Sequence, residues 1–165
     1  TAVPDIVISG IEDNATYALG LVPTADYQAS DVTSGLFSSS DELTGGDSIG
    51  LGMFTYSVTA VDYAGNEASA TVSYTVIATT QGTAALTDQF ISSGDISDPG
   101  KLYDYLSAAQ GHIDSDNNDK AIQKLDEFKE AIDKLKKKEQ ISEAAAVVLS
   151  GAANAMIVEL SGMPQ

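Results

Sequence analysis

Hydrophobic residues recur at every second position in the first half of the chain and at every third or fourth in the second, and the change falls near residue 80. The alternation is clearest over Gly52–Asp62, where Phe54, Tyr56, Val58 and Ala60 point one way and Thr55, Ser57 and Thr59 the other. Tyr63-Ala64-Gly65-Asn66 then reads as a tight turn. A second strand over 68–77 sets Ala70, Val72, Tyr74 and Val76 against Ser69, Thr71, Ser73 and Thr75. One apolar face and one hydroxyl-rich face describe a half-buried antiparallel sheet. Asp5–Ser9 is a short strand behind Pro4, 15–22 alternates weakly, and 38–52 reads as turn-rich. An all-β domain built from such strands is a sandwich.

Beyond residue 80 the pattern predicts four helices. Ala84, Ala85, Leu86, Phe90 and Ile91 form a first apolar patch. Ser97-Asp98-Pro99 supplies a cap and a first-turn proline for a second helix with Leu102, Leu106, Ala109 and Ile113 inward. A third carries Ile122, Leu125, Phe128, Ile132 and Leu135 inward and interleaved Glu and Lys outward, ending in Lys136-Lys137-Lys138 against the negative end of its dipole. Ser142 caps a fourth over 143–160. The fold class expected is multidomain, all-β plus all-α: an antiparallel β-sandwich over 1–79, then a small up-and-down four-helix bundle over 80–165.

Charge and composition narrow the function. The chain has 165 residues, no cysteine, no arginine and a formal net charge of −16. Residues 1–80 hold ten acids and no base, and all eight lysines follow. Disulfides and thiolate sites are excluded, and without arginine there is no bidentate phosphate fork. Nucleic acid and anionic membrane are poor partners. No apolar run approaches the roughly 20 residues that span a bilayer, so no membrane insertion is expected. The opening Thr1-Ala2-Val3-Pro4 reads like a cut from a longer polypeptide.

Candidate chemistry is sparse. Asp114, Asp116 and Asn118 occupy positions one, three and five of a calcium-loop pattern, but Asp119 stands where its glycine belongs and Leu125 where its bidentate acid belongs. A helix-capping cluster explains the same residues, so calcium is an alternative and no other cofactor is expected. Asp62 and Asn66 admit the same choice between calcium and turn bonding. His112 sits at a helix end with no second ligand beside it. No nucleophile elbow surrounds any serine, and paired carboxylates such as Asp41-Glu42 fall in polar stretches, so no catalytic residues are expected. Tyr103 and Tyr105 straddle the buried stripe of the second helix and are the candidate glycan contacts.

Residues 4–78 resemble the bacterial Ig-like modules repeated in exported glycoside hydrolases, polysaccharide lyases and adhesins. Pro4-Asp5-Ile6-Val7-Ile8-Ser9-Gly10, the strand Gly52–Asp62 and the closing Tyr63-Ala64-Gly65-Asn66-Glu67-Ala68 carry that resemblance. Residues 83–162 resemble the small helical module called FIMAH, through Leu102 and Leu106, Ala121, Leu125-Asp126-Glu127-Phe128, Ile132, and Ile141-Ser142 with Ala145, Leu149 and Ala152. That family usually carries a glycine shortly before the isoleucine, where this chain has Lys138-Glu139-Gln140. The two resemblances imply a non-catalytic accessory or spacer module of an exported carbohydrate-active protein, secreted and extracellular, either free or attached to the cell wall. Its partners would be adjacent domains of that parent. The alternatives are a polysaccharide- or cell-wall-binding module and a structural subunit of a surface layer or filament.

Overall fold

The computed structural model describes residues 2–162. Six strands and four helices follow in order: β1 Asp5–Ser9, β2 Thr16–Ala18, β3 Asp26–Ser30, β4 Leu36–Gly45, β5 Gly52–Asp62, β6 Glu67–Ile77, then α1 Thr80–Ser93, α2 Leu102–Ile113, α3 Asn118–Lys137 and α4 Glu143–Gly162. Strands therefore fill the first part of the chain and helices the second. The strands form two open sheets, β1-β3 and β2-β6-β5-β4, with antiparallel β1–β3, β4–β5 and β5–β6 pairs. Two compact units result. Among the described residues, one contains those up to Tyr17 and Val22–Val76, the other Ala18–Leu21 and those from Ile77 onward.

In the first unit the alternation along β5 and β6 translates directly into burial. Tyr56, Val58, Ala60, Tyr74 and Val76 are buried, and the Tyr74 ring stacks on Phe54 with centroids 5.5 Å apart. Thr55 and Ser73, and Ser57 and Thr71, pair their hydroxyls across the opposite face. Three expectations need correction. The stretch read as turn-rich, 38–52, is strand as far as Gly45. β4 exposes nearly every residue, so no alternation marks it. β3 was not foreseen, and of 15–22 only Thr16–Ala18 is strand.

The helical unit buries Leu102, Leu106 and Ala109 of α2, Ala121, Leu125, Phe128, Ile132 and Leu135 of α3, and seven residues of α4 including Leu149 and Met156. Ile113 and Ile122 are only half-buried. α2 starts later than the sequence suggests. Asp98 Oδ1 accepts from the Gly100 N–H at 2.9 Å and makes a turn, so Pro99 precedes the helix and Lys101 is its cap residue, without a side-chain capping bond. By length and composition α4 is apolar enough to cross a membrane, a property that counting unbroken apolar runs overlooks. Here its buried face packs on other helices.

Two connections hold the unit at one end. The Ser97 N–H donates to the Gln140 carbonyl at 3.0 Å and the Ser142 N–H to the Asp95 carbonyl at 2.7 Å, so buried Ile96 and Ile141 form a single β-bridge. Ser142 Oγ then accepts from the Ala145 N–H at 3.1 Å and caps α4. Hydrogen bonds from Ser93 and Ser142 lower the Asp95 pKa. The turn before Ile141 closes by the Gln140 N–H to the Leu135 carbonyl and the Glu139 N–H to the Lys136 carbonyl, with Glu139 at φ 56°. This is a Schellman ending whose left-handed position holds glutamate where glycine fits without strain.

The second unit also takes in residues from far ahead of its helices. Leu19 O lies 2.2 Å from where a Cβ on Gly82 would be, and Gln89 Nε2 donates to the Gly20 carbonyl at 2.9 Å. Thr83 and Thr87 are fully buried, each hydroxyl donating to a carbonyl four residues back.

Two substitutions test this packing. In a helix Gly→Ala ordinarily stabilises by up to about 1 kcal/mol, but Gly82→Ala is expected to destabilise by about 2 kcal/mol because the methyl overlaps backbone. Urea unfolding followed by helical circular dichroism measures it, and a stabilised variant would contradict the contact. Glu139→Gly is expected to stabilise by about 0.5–1 kcal/mol in the same assay by relieving the positive φ.

Candidate functional site

The Asp114 to Asn118 segment joins α2 to α3. Asp114 is the residue that ends α2, and its Oδ1 accepts from Gln110 Nε2 at 2.6 Å. Asp116 adopts φ 53°, and the cap of α3 is Asn117, whose Oδ1 accepts from the Lys120 N–H at 3.3 Å. Asn118 is already the first residue of α3. The capping role thus belongs to Asn117, which was not among the candidate ligands. Among the described residues no group of three or more His, Cys, Asp or Glu side chains is placed to hold a metal ion. His112 lies in the last turn of α2, and its carbonyl accepts from the Asn117 N–H at 2.9 Å.

Tyr103 and Tyr105 part company. Two residues apart on a helix, they are rotated by about 200° and line different depressions. Tyr103 is half-buried beside a groove of about 570 Å³ between α1 and α2, with Thr80, Gln81, Ala84, Leu106, Ser107 and Gln110. Its hydroxyl donates to Asp88 Oδ1 at 2.5 Å. Burial first, then the Asp88 hydrogen bond and charge, push the phenol up to about 12. Every residue lining this groove is uncharged.

Tyr105 instead lines a pocket of about 250 Å³ between the start of α2 and the end of α3, with Pro99, Gly100, Lys101, Ala131, Lys134, Leu135 and Lys138. Three of the chain's eight lysines meet there. The local reason is sequence spacing. Lys134 lies in the last turn of α3 and Lys138, four residues on, is its C-terminal cap, while Lys101 stands at the entrance to α2. Sequence reasoning assigned the α3 lysines to the helix dipole and to ion pairs and did not connect them with Lys101, 33 positions before Lys134. A third depression of about 370 Å³ lies beside the β-bridge and mixes Asp95, Lys136, Glu139 and Glu143, with Lys136 paired to Glu143 at 2.9 Å.

In the first unit, Asp62 is 2% exposed. Its Oδ1 accepts from the Ala64 and Asn66 N–H groups at 2.9 and 2.8 Å, and its Oδ2 from Asn66 Nδ2 at 2.6 Å. Asp31 Oδ1 accepts from the N–H groups of Thr33, Ser34 and Gly35 and from the Ser34 hydroxyl. These are the turn bonds expected of Asp62 and Asn66. Burial opposes ionisation of Asp62, and the donors from Asn66, Ser34 and Ala64 outweigh it, leaving its pKa lowered. The Ser34 N–H leads in lowering that of Asp31.

Because both carboxyls titrate below their unfolded values, their contribution is intact above the ordinary carboxylate range, near pH 4, and is lost as pH falls through the folded pKa values. The urea midpoint of the β signal is therefore expected to hold above about pH 4 and to drop as pH falls below it. Asp62→Asn should lower the midpoint at pH 7 and flatten that acid slope. An unchanged slope would remove Asp62 from the account.

No curated protein matches the chain. Residues 80–158, covering all but the last turn of the helical stretch, match the FIMAH domain, so the four-helix module is similar to that family.


Proposed function

We propose that the chain is a non-catalytic accessory module of a larger exported, carbohydrate-active bacterial protein. In this reading the first unit is an Ig-like β-sandwich in which β1-β3 lies over the larger sheet. Its supports are the alternating burial of β1 and β3 and the 3.2 Å bond from the Tyr27 hydroxyl to Ser39 Oγ. The helical unit is an up-and-down four-helix bundle, in keeping with the neighbour packing of α1 with α2, α2 with α3 and α3 with α4.

The observation that carries the reading is the pairing of two compact units in one chain, each with its own buried core, one of which matches the FIMAH domain. Separate cores suit mechanical spacing, because each unit keeps its shape while a neighbour is held at a distance. The work done is positioning: a tethered partner meets its substrate at raised effective concentration. The acidic, cysteine-free and arginine-free composition suits a solvated extracellular surface.

Deleting residues 1–165 from the parent polypeptide tests this. Turnover of a short soluble substrate is expected to stay within about twofold, while activity on insoluble polymer or retention at the cell surface falls several-fold. Hydrolysis of chromogenic glycosides or esters by the isolated chain would overturn the assignment.

A further inference from the structure

The pocket between the start of α2 and the end of α3 stands out against the charge of the molecule. Acids outnumber bases 24 to 8, yet Lys101, Lys134 and Lys138 converge on this one depression. Lys101 and Lys138 have no carboxylate partner within 4 Å among the described residues, and Lys134 reaches only Glu130 at 3.8 Å, with both side chains largely in water. An exposed pair of that kind contributes little and leaves the ammonium available. The remaining ion-paired lysines, Lys124, Lys129 and Lys136, lie outside the pocket.

One further feature bears on the positive charge. The first turn of α2 opens beside the pocket, and no side chain caps it, so the positive end of that helix dipole adds to the lysines, offset in part by Asp104 in the same turn. The helix dipole of α3 explains why lysines stand at its end, but not why Lys101, from a different element, meets them. The pocket wall is not purely ionic either. Half-buried Tyr105 and Pro99 give it an apolar surface suited to the C–H face of a pyranose ring. The volume of about 250 Å³ is of the size of one sugar residue, below the range of drug-sized sites.

We infer that this pocket binds a carboxylate-bearing sugar residue of an acidic polysaccharide. The lysines take the carboxylate, while Tyr105 and Pro99 take the ring. The net charge of −16 does not forbid it, since at physiological salt the field of distant carboxylates is screened beyond about 8 Å, whereas the lysines act in contact. The inference goes beyond positioning and does not rest on it: it concerns the isolated chain, and either reading can fail alone.

The test is titration of the uniformly ¹⁵N-labelled chain with a hexauronate, a neutral hexasaccharide and hexaglutamate, at low and at physiological salt. Hexauronate is expected to shift the amides of Lys101, Tyr105 and Lys138, to bind at least tenfold more tightly than the neutral sugar, and to weaken as salt rises. Lys101→Gln and Lys138→Gln, both at exposed positions, should each weaken binding several-fold with unchanged melting temperature. Tyr105→Phe should retain binding that Tyr105→Leu loses. No shift at these amides with millimolar hexauronate, equal affinity for the neutral sugar, equal affinity for hexaglutamate, or lysine variants that bind like the parent would each overturn the assignment.

Discussion

The helical unit depends on a two-loop clip. Two backbone hydrogen bonds join Asp95 and Ser97 to Gln140 and Ser142, and the isoleucine at the centre of each loop is buried beneath them. Loops ordinarily satisfy their polar backbone in water. Here they satisfy each other, which allows Ile96 and Ile141 to extend the core to the end of the helices. The same contact fixes where α4 begins, because Ser142 is held both by the Asp95 carbonyl and by the first turn it caps. A short bridge between distant loops thus sets the relation between the first and last helices of the unit.

The sequence made some of this legible and hid the rest for identifiable reasons. β5 and β6 and the inward faces of α2 and α3 could be read because one face is buried and the other wet, which is what periodicity reports. β4 could not, because an edge strand exposed on both sides has no reason to alternate; its serines and the Asp41-Glu42 pair look like a loop. The buried face of α1 escaped because it is made of Thr83, Thr87 and Gly82 as well as Leu86, residues whose burial relies on hydroxyl bonds and close backbone approach rather than on apolarity. The start of α2 was misplaced because Asp98-Pro99 signals a helix start and a turn equally well, and Gly100 at φ 53° decided for the turn.

The candidate site shows the same division. Tyr105 lines a pocket and Asp62 anchors its turn. Their company was not visible. Treating Tyr103 and Tyr105 as one platform ignored the helical rotation that sends them to a neutral groove and a cationic pocket. Lys101 joins Lys134 and Lys138 only because α2 and α3 pack antiparallel, a tertiary fact that no local window contains. Of the calcium-loop residues, Asp114 ends α2 and accepts from Gln110, and Asn118 opens α3 behind its cap Asn117.

The confinement of every basic residue to the helical unit has a consequence for proteolysis. With no arginine and no lysine before Lys101, enzymes that cut after basic side chains find no scissile bond in the first hundred residues. The earliest such bond follows Lys101, at the threshold of α2, and the remaining lysines fall on α3 and its end, where helical backbone resists the extended conformation a protease requires. Digestion of that kind would therefore begin in the helical unit and leave the strands as one uncut piece.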